Sequence, residues 1–94
     1  MRLTSKEIDI IKNKVETIFS KSVIYLFGSR VYDDKKGGDI DLYIVPQDKQ
    51  DNFSKKLRLK SVLEDLLFKP VDIVIAKDET RVIEQEALQY GIKL

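Results

Sequence analysis

The stretch FGSRVYDDKKGGDIDLYIVP, from Phe27 to Pro46, places two aspartates inside an apolar segment. Residues 39–45 alternate in character, which predicts a β-strand that ends at Pro46. One face of this strand holds Ile40, Leu42 and Ile44, and the other holds Asp39, Asp41 and Tyr43. The Cα atoms of two such aspartates lie roughly 6.6 Å apart, so their charges repel unless a cation lies between them. By itself this motif leaves open a solvated strand face and a pair of metal-binding carboxylates.

Just upstream, Gly28, Ser29 and Arg30 follow the β-branched and aromatic run of residues 23–27, which predicts a short buried strand. Glycine lets the backbone approach a ligand closely, and a strand-to-helix turn directs free N–H groups at an anion. The Ser29 hydroxyl can donate to a phosphate oxygen, and Arg30 can neutralise one or brace the acidic residues. The ordinary alternative is that Gly28 ends a strand and Ser29 caps a helical turn.

A third aspartate, Asp72, interrupts the apolar run PVDIVIA, which predicts a strand over residues 71–76 after Pro70. An aspartate in such a strand is costly unless it is paired or bound to metal. If this strand lies beside the strand of residues 39–45, Asp72 can join the first two carboxylates. Three carboxylates are the minimum needed to hold two Mg²⁺ ions. The alternative is that Asp72 is merely the residue at which the strand begins.

Three helices are predicted around these strands. The first spans residues 5–19 behind a capping box formed by Thr4 and Glu7, with an apolar stripe of Ile8, Ile11, Val15, Ile18 and Phe19. The next is capped by Asp51 or Asn52, with a stripe of Leu59, Val62, Leu63, Leu66 and Leu67. The last is capped by Thr80 and ends at Gly91, with Ile83, Ala87 and Tyr90 facing inward. With a helical turn at 29–32, the order predicts a small two-layer α/β or α+β domain of three or four strands, spanning residues 1–94.

The amino-acid composition excludes some kinds of ligand and metal site. The 94 residues include 17 Lys and Arg against 16 Asp and Glu, which argues against a general nucleic-acid binder. The absence of Cys and His excludes a thiolate zinc site and removes the commonest general base. No apolar run is long enough for a membrane span, so a cytoplasmic protein is expected. A basic cluster of Lys55, Lys56, Arg58 and Lys60 is interpreted as a solvated helix face balanced by Glu64 and Asp65.

These features form one pattern along the chain. A strand is followed by Gly-Ser, then by nine further residues, then by Asp-x-Asp in a second strand and a lone Asp in a later strand. This pattern resembles the polymerase-β-like nucleotidyltransferase superfamily, in particular its minimal members, the MNT proteins encoded beside HEPN-domain toxins. The resemblance covers nearly the whole chain and implies a nucleotidyltransferase fold with a small mixed β-sheet and helices packed on it. It also implies Gly28, Ser29 and Arg30 at the nucleotide, and Asp39, Asp41 and Asp72 as catalytic Mg²⁺ ligands in a two-metal site, with Asp72 as general base.

The function implied by this resemblance is an antitoxin that transfers AMP from ATP to a hydroxyl, expected to be a tyrosine, of a partner HEPN toxin. The resemblance also implies a homodimer or a hetero-oligomer with the toxin. Because the chain has no room for an acceptor domain, either a partner supplies the acceptor surface or the domain has no acceptor of its own. The alternative from another class is a non-catalytic antitoxin that neutralises its partner by forming a complex. Transfer to RNA or to a small-molecule hydroxyl is a third possibility, disfavoured by the missing acceptor domain.

Overall fold

The computed structural model describes residues 3–28 and 39–94. Its elements are α1 (Ser5–Phe19), β1 (Ser22–Phe27), β2 (Ile40–Pro46), α2 (Asn52–Leu67), β3 (Val71–Ile75), α3 (Val82–Tyr90) and β4 (Ile92–Lys93). The strands form one sheet in the order β3-β2-β1-β4. The β2–β3 pair is parallel, whereas β1 is antiparallel to both β2 and β4. The predicted α+β class with a mixed sheet is confirmed. The predicted helical turn at 29–32 lies outside the described residues.

The main core lies between one face of the sheet and the helices α1 and α2. The predicted capping box is present, since Glu7 N–H donates to Thr4 Oγ1 at 3.1 Å and Thr4 N–H donates to Glu7 Oε1 at 3.0 Å. The buried apolar side chains of α1 and α2 are Ile11, Val15, Phe19, Leu59, Leu63 and Leu67. They pack against the face of β2 that was predicted to be apolar, which carries Ile40, Leu42 and Ile44.

The buried stripe of α2 is narrower than predicted. Leu66 is 44% exposed and Val62 is only half-buried, because the helix directs Leu59, Leu63 and Leu67 at the sheet. Asp51 stands at the N-cap position, but its side chain makes no capping hydrogen bond. The start of the helix was therefore correctly predicted, whereas the expected role of Asp51 or Asn52 as a side-chain cap was wrong.

The second face of the sheet is covered in part by α3, which adds a partial third layer to the predicted two. Ala87 packs there against Phe27 and Tyr43. Two predictions for this helix were wrong, since Ile83 is 41% exposed and Tyr90 is 58% exposed. The residue buried in their place is Glu84, whose hydrogen bonds fix the rotation of the helix.

The N-cap residue of α3 is Arg81 rather than the predicted Thr80. Thr80 instead donates from both its N–H and its hydroxyl to Asp78 Oδ1, at 2.9 and 2.8 Å. Gly91 stands at the end of α3 as predicted.

The C-terminal segment docks on the sheet as β4. Its two residues pair with β1, and Leu94 N–H donates to Ile24 O at 2.9 Å. The apolar character of this segment is thereby explained, because Leu94 packs against the main core. Among the described residues, no helix combines the length and the apolar character needed to cross a bilayer.

Candidate active site

Two of the three predicted carboxylates meet where the parallel strands β2 and β3 begin. Asp41 and Asp72 are direct partners in the β2–β3 register. Neighbouring strands lie about 4.8 Å apart, so the two side chains stand next to each other on the face that α3 covers in part. The adjacency that the sequence analysis required between these strands is therefore observed. Asp39 precedes β2 and is exposed, as is Asp72, whose side chain is 59% accessible to solvent.

Gly28 lies against this pair because Phe27 is the register partner of Asp41. The φ angle of Gly28 is +74°, in the left-handed region that favours glycine. A Cβ atom added to Gly28 would overlap with Asp41 Oδ2. The group that lies close to the Gly28 backbone in this structure is the Asp41 carboxylate, and the predicted approach of a ligand to Gly28 stays a prediction.

Among the described residues, the charged groups that act on Asp41 are the carboxylates of Asp72, Asp39 and Glu86. Burial raises the pKa of Asp41, and the charges of Asp72 and Asp39 raise it further. Within the described part of the chain, the cationic group nearest to Asp72 is Lys60, with 3.8 Å between Nζ and Oδ1. A hard cation bound by oxygen ligands would relieve this repulsion, so the chemistry of the donor set fits Mg²⁺.

Two of the predicted site residues cannot be located relative to this pair. Ser29 and Arg30 lie outside the described residues. In residues 3–28 and 39–94, no three acidic side chains are grouped closely enough to enclose one metal ion. The structure therefore places Asp41, Asp72 and Gly28 at one point, with Asp39 at its solvent-exposed margin.

Lys60 and Glu64 form a bridge from α2 to β3 that the sequence interpretation missed. Lys60 Nζ lies 3.1 Å from Glu64 Oε2 and also donates to the carbonyl oxygen of Val71. The Val71 N–H donates to the same Glu64 oxygen at 2.8 Å. The i,i+4 spacing of Lys60 and Glu64 indicated their ion pair, but nothing in the sequence indicated the contact with Val71, which comes directly before Asp72.

Tyr43 shares a strand face with Asp41 but is buried, since its side chain is only 1% exposed. The Tyr43 hydroxyl donates to Glu84 Oε1 at 2.7 Å. Glu84 was not singled out from the sequence. Its one signal was its position in the first turn of a helix, where a carboxylate is favoured.

The family model described as "Polymerase beta, Nucleotidyltransferase" matches residues 5–94. A solved complex of a tri-AMPylated HEPN toxin with an MNT antitoxin, from Shewanella oneidensis, contains a chain that is 30% identical over 93% of this chain and 66% of that one, with a TM-score of 0.70. A second chain, 27% identical with a TM-score of 0.76, matches over 93% of this chain and 70% of that one. It belongs to a MntA toxin–antitoxin complex in which two aspartates spaced one residue apart are replaced by glutamates.

The unsubstituted MntA–HepT complex contains a chain that is 24% identical over 96% of this chain and 70% of that one, with a TM-score of 0.75, which supports the fold alone. No curated protein matches by sequence. The family model spans every described element, from α1 through the strands that carry Asp41 and Asp72 to β4. This chain therefore belongs to the polymerase β nucleotidyltransferase family.

Proposed function

We propose that this chain is an Mg²⁺-dependent adenylyltransferase that transfers AMP from ATP to a tyrosine hydroxyl of a partner HEPN toxin and thereby acts as an antitoxin. The observation that carries the proposal is the register pairing of Asp41 with Asp72 beside Gly28. The AMPylated HEPN toxin in the Shewanella oneidensis complex supports the donor, the group transferred and the partner.

The proposed ligands for Mg²⁺ are Asp39, Asp41 and Asp72. Carboxylates together with substrate phosphates are how proteins usually hold this ion. When bound, two such ions would neutralise the charge that develops on the phosphates and on the leaving group. The raised pKa of Asp41 supports the assignment, because repulsion between neighbouring carboxylates is what a bound cation removes. The replacement of two similarly spaced aspartates in the MntA complex is consistent with this choice of residues.

The other residues of the proposed site bind the nucleotide and move the proton. Gly28, Ser29 and Arg30 are proposed to bind the triphosphate through backbone N–H groups, a hydroxyl and a guanidinium. A carboxylate oxygen of Asp72 takes the proton from the acceptor hydroxyl. The hydroxyl oxygen then forms a bond to the α-phosphorus, while the bond from this phosphorus to the bridging oxygen breaks and pyrophosphate leaves. The exposure of Asp72 leaves room for the acceptor to approach it.

The partner is proposed to supply the acceptor surface. The toxin and this chain would form a hetero-oligomer, with a homodimer of this chain as a further possible unit. ATP as donor places the proposed reaction in the cytoplasm. Neither a membrane nor general nucleic-acid binding is part of the proposal.

The direct test is incorporation of label from α-³²P-ATP into a co-purified HEPN toxin in the presence of Mg²⁺. We expect labelling by the wild type, and no labelling by the Asp39→Asn or Asp41→Asn variants or after chelation of the metal. Asp65→Asn is the matched control, because Asp65 is an exposed aspartate of α2. Failure of the wild type to label the toxin with any nucleotide, or full labelling by Asp39→Asn, would contradict the proposal.

Neutralisation by complex formation alone remains the rival function. The finding that favours it is that no three acidic side chains of the described residues enclose one ion. Co-expression of the toxin with Asp41→Ala at equal protein level separates the two functions. Loss of neutralisation supports the enzyme, and full neutralisation supports the binding module.

A further inference from the structure

Among the described strands, β3 forms one edge of the sheet and pairs on one side alone, with β2. Ile40 N–H donates to Pro70 O, and Ala76 N–H donates to Ile44 O, each at 2.9 Å. The N–H and C=O groups of one strand residue point to the same side, and successive residues alternate. The even-numbered residues of β3 therefore face β2, whereas the backbone groups of Val71, Ile73 and Ile75 point away from the sheet.

The first of these outward positions is already occupied. Val71 N–H donates to Glu64 Oε2 at 2.8 Å, and Val71 C=O accepts from Lys60 Nζ. No described residue bonds the outward groups of Ile73 and Ile75. An added strand could therefore pair with β3 from Ile73 onward, but not at Val71, directly before Asp72.

A groove of about 410 Å³ lies along this open part of β3. The N-terminal ends of α2 and α3 form its walls, and the residues 73–77 form its floor. Phe53 on one wall is 73% exposed and Ile83 on the other is 41% exposed, so the groove offers apolar contacts. Its charged lining residues are Lys56, Lys77 and Arg81, and its described lining includes no carboxylate.

Arg81 Nε lies 3.1 Å from Glu84 Oε2, so its charge is already paired. Lys56 and Lys77 are therefore the main cationic groups of the groove. A second copy of this chain would bring the same cations against them, so charge repulsion opposes self-pairing through this edge. An extended segment that carries acidic residues is complementary to the groove.

We propose that this groove binds an extended, acidic segment of the acceptor protein as an added strand on Ile73 and Ile75. This proposal rests on the proposed function and names how its protein substrate is positioned. Ile75 lies three residues from Asp72, or about 10 Å along the strand. The Lys60–Glu64 pair ends the added strand at Val71, so that the hydroxyl beyond its end lies beside Asp72. Added strands gain affinity from main-chain hydrogen bonds and specificity from side-chain pockets.

The first test reverses the charge of the groove with the double variant Lys56→Glu/Lys77→Glu. Steady-state AMP transfer is measured as a function of HEPN toxin concentration and, separately, of ATP concentration. We expect KM for the toxin to rise about tenfold, while kcat and KM for ATP stay within twofold of the wild type. Lys12→Glu/Lys49→Glu is the matched control, because both lysines are exposed and neither lines the groove. An unchanged KM for the toxin in the groove variant would overturn the proposal.

The second test removes a backbone donor. Ile75→Pro deletes an N–H that faces away from β2, and proline is tolerated at such edge positions. We expect KM for the toxin to rise by about tenfold, whereas Ile75→Val, which keeps the N–H, leaves it unchanged. Thermal unfolding of each variant establishes that it is folded. If Ile75→Pro does not fold, the charge-reversal variant still decides the question.

Binding without nucleotide separates this proposal from the proposed function. Calorimetric titration of the toxin with wild type and with Lys56→Glu/Lys77→Glu needs no catalysis. If the wild type binds the toxin but does not label it, the proposed function fails, and an about tenfold weaker Kd of the variant still supports the groove. If the wild type labels the toxin and the variant matches it in both Kd and KM, the groove proposal is overturned and the proposed function stands.

Discussion

The same face of the sheet carries two carboxylate centres that differ in almost every respect. Near the start of β2, Asp41 stands beside Asp72 with no described cation closer to the pair than Lys60, 3.8 Å from Asp72. Two residues further along β2, Tyr43 reaches Glu84, which is fully buried. Glu84 accepts hydrogen bonds from the Tyr43 hydroxyl and from the N–H groups of Lys77 and Asp78, and it forms an ion pair with Arg81.

The pKa values of the two centres shift in opposite directions. Burial raises the pKa of both carboxyl groups, and at Asp41 the neighbouring carboxylates raise it further. At Glu84 the hydrogen bonds from Asp78, Tyr43 and Lys77 outweigh burial, so its pKa is lowered. A buried carboxylate with its full set of donors stabilises a fold. A partly buried carboxylate to which the described residues offer no donor, and which other carboxylates repel, is typical of a functional site. We therefore assign a structural role to Glu84 and the proposed chemistry to Asp41.

The largest expected effect is the loss of AMP transfer when Asp41 is replaced. Asp41→Asn should lower the rate of AMP transfer by about a thousandfold or more. The same change should leave the free energy of unfolding unchanged or raise it, because a repelling charge is removed. Activity is measured by labelling of the toxin, and stability by urea denaturation. A variant that loses stability and activity in parallel would show that Asp41 is structural.

At the other carboxylate centre, Glu84→Gln should lower the free energy of unfolding by about 3 kcal/mol. The amide presents donors to groups that are themselves donors, and it leaves Arg81 without its partner. The midpoint of urea denaturation measures the loss. Glu86→Gln, an exposed change on the same helix, should alter stability by less than about 0.5 kcal/mol. Equal stability of the Glu84 and Glu86 variants would contradict the structural role of Glu84.

Gly28→Ala tests how tightly the backbone approaches Asp41. A Cβ at φ +74° is strained and overlaps with Asp41 Oδ2, so we expect a loss of about 2 kcal/mol in stability. In an Asp41→Ala background the overlap is removed and only the backbone strain remains, so the loss should fall to about 1 kcal/mol. A double-mutant cycle by urea denaturation measures the difference. Additive losses would show that the two residues do not interact.

The smallest expected effect is on the pH dependence of stability. Because the folded pKa of Glu84 lies below its ordinary value of 4.5, its ionised form stabilises the fold above that pH, and this contribution is lost as the pH falls through the folded pKa. The difference in unfolding free energy between wild type and Glu84→Gln should therefore be constant near neutral pH and shrink below about pH 4.5. Urea denaturation at several pH values from 7 to 3 measures it. A difference that grows on acidification would have the wrong sign for this carboxylate.

Much of the site could be predicted from local patterns. The alternation of residues 39–45 placed Asp41 on a different face from Ile40 and Leu42, and the structure places these residues in the same way. The capping box at Thr4 was predictable because it depends on residues three positions apart. The pairing of Asp41 with Asp72 was predicted only on the condition that their strands are neighbours, since strand order is not a local property.

The errors fall where a tertiary contact overrides a local pattern. Tyr90 and Ile83 have helical spacing with Ala87, yet the buried position of α3 is taken by Glu84. An apolar stripe would have been the ordinary choice, but the donors of Lys77, Asp78 and Tyr43 converge on one point and make a carboxylate favourable there.

The sequence by itself determined the family pattern, the strands that carry the aspartates and the helices that cover one face of the sheet. These features depend on residue type and short-range periodicity, which any window of the chain reveals. The tertiary structure decided which carboxylates lie side by side and which have hydrogen-bond donors. Parallel strand pairing brings Asp41 next to Asp72, although they are thirty-one positions apart in the chain. The tertiary structure also decided that the Asp41 carboxylate occupies the position a Cβ atom of residue 28 would take, and that Lys60 donates a hydrogen bond to the Val71 carbonyl. Charge and hydrogen-bond satisfaction depend on distances in space, and these arise only when the sheet is assembled.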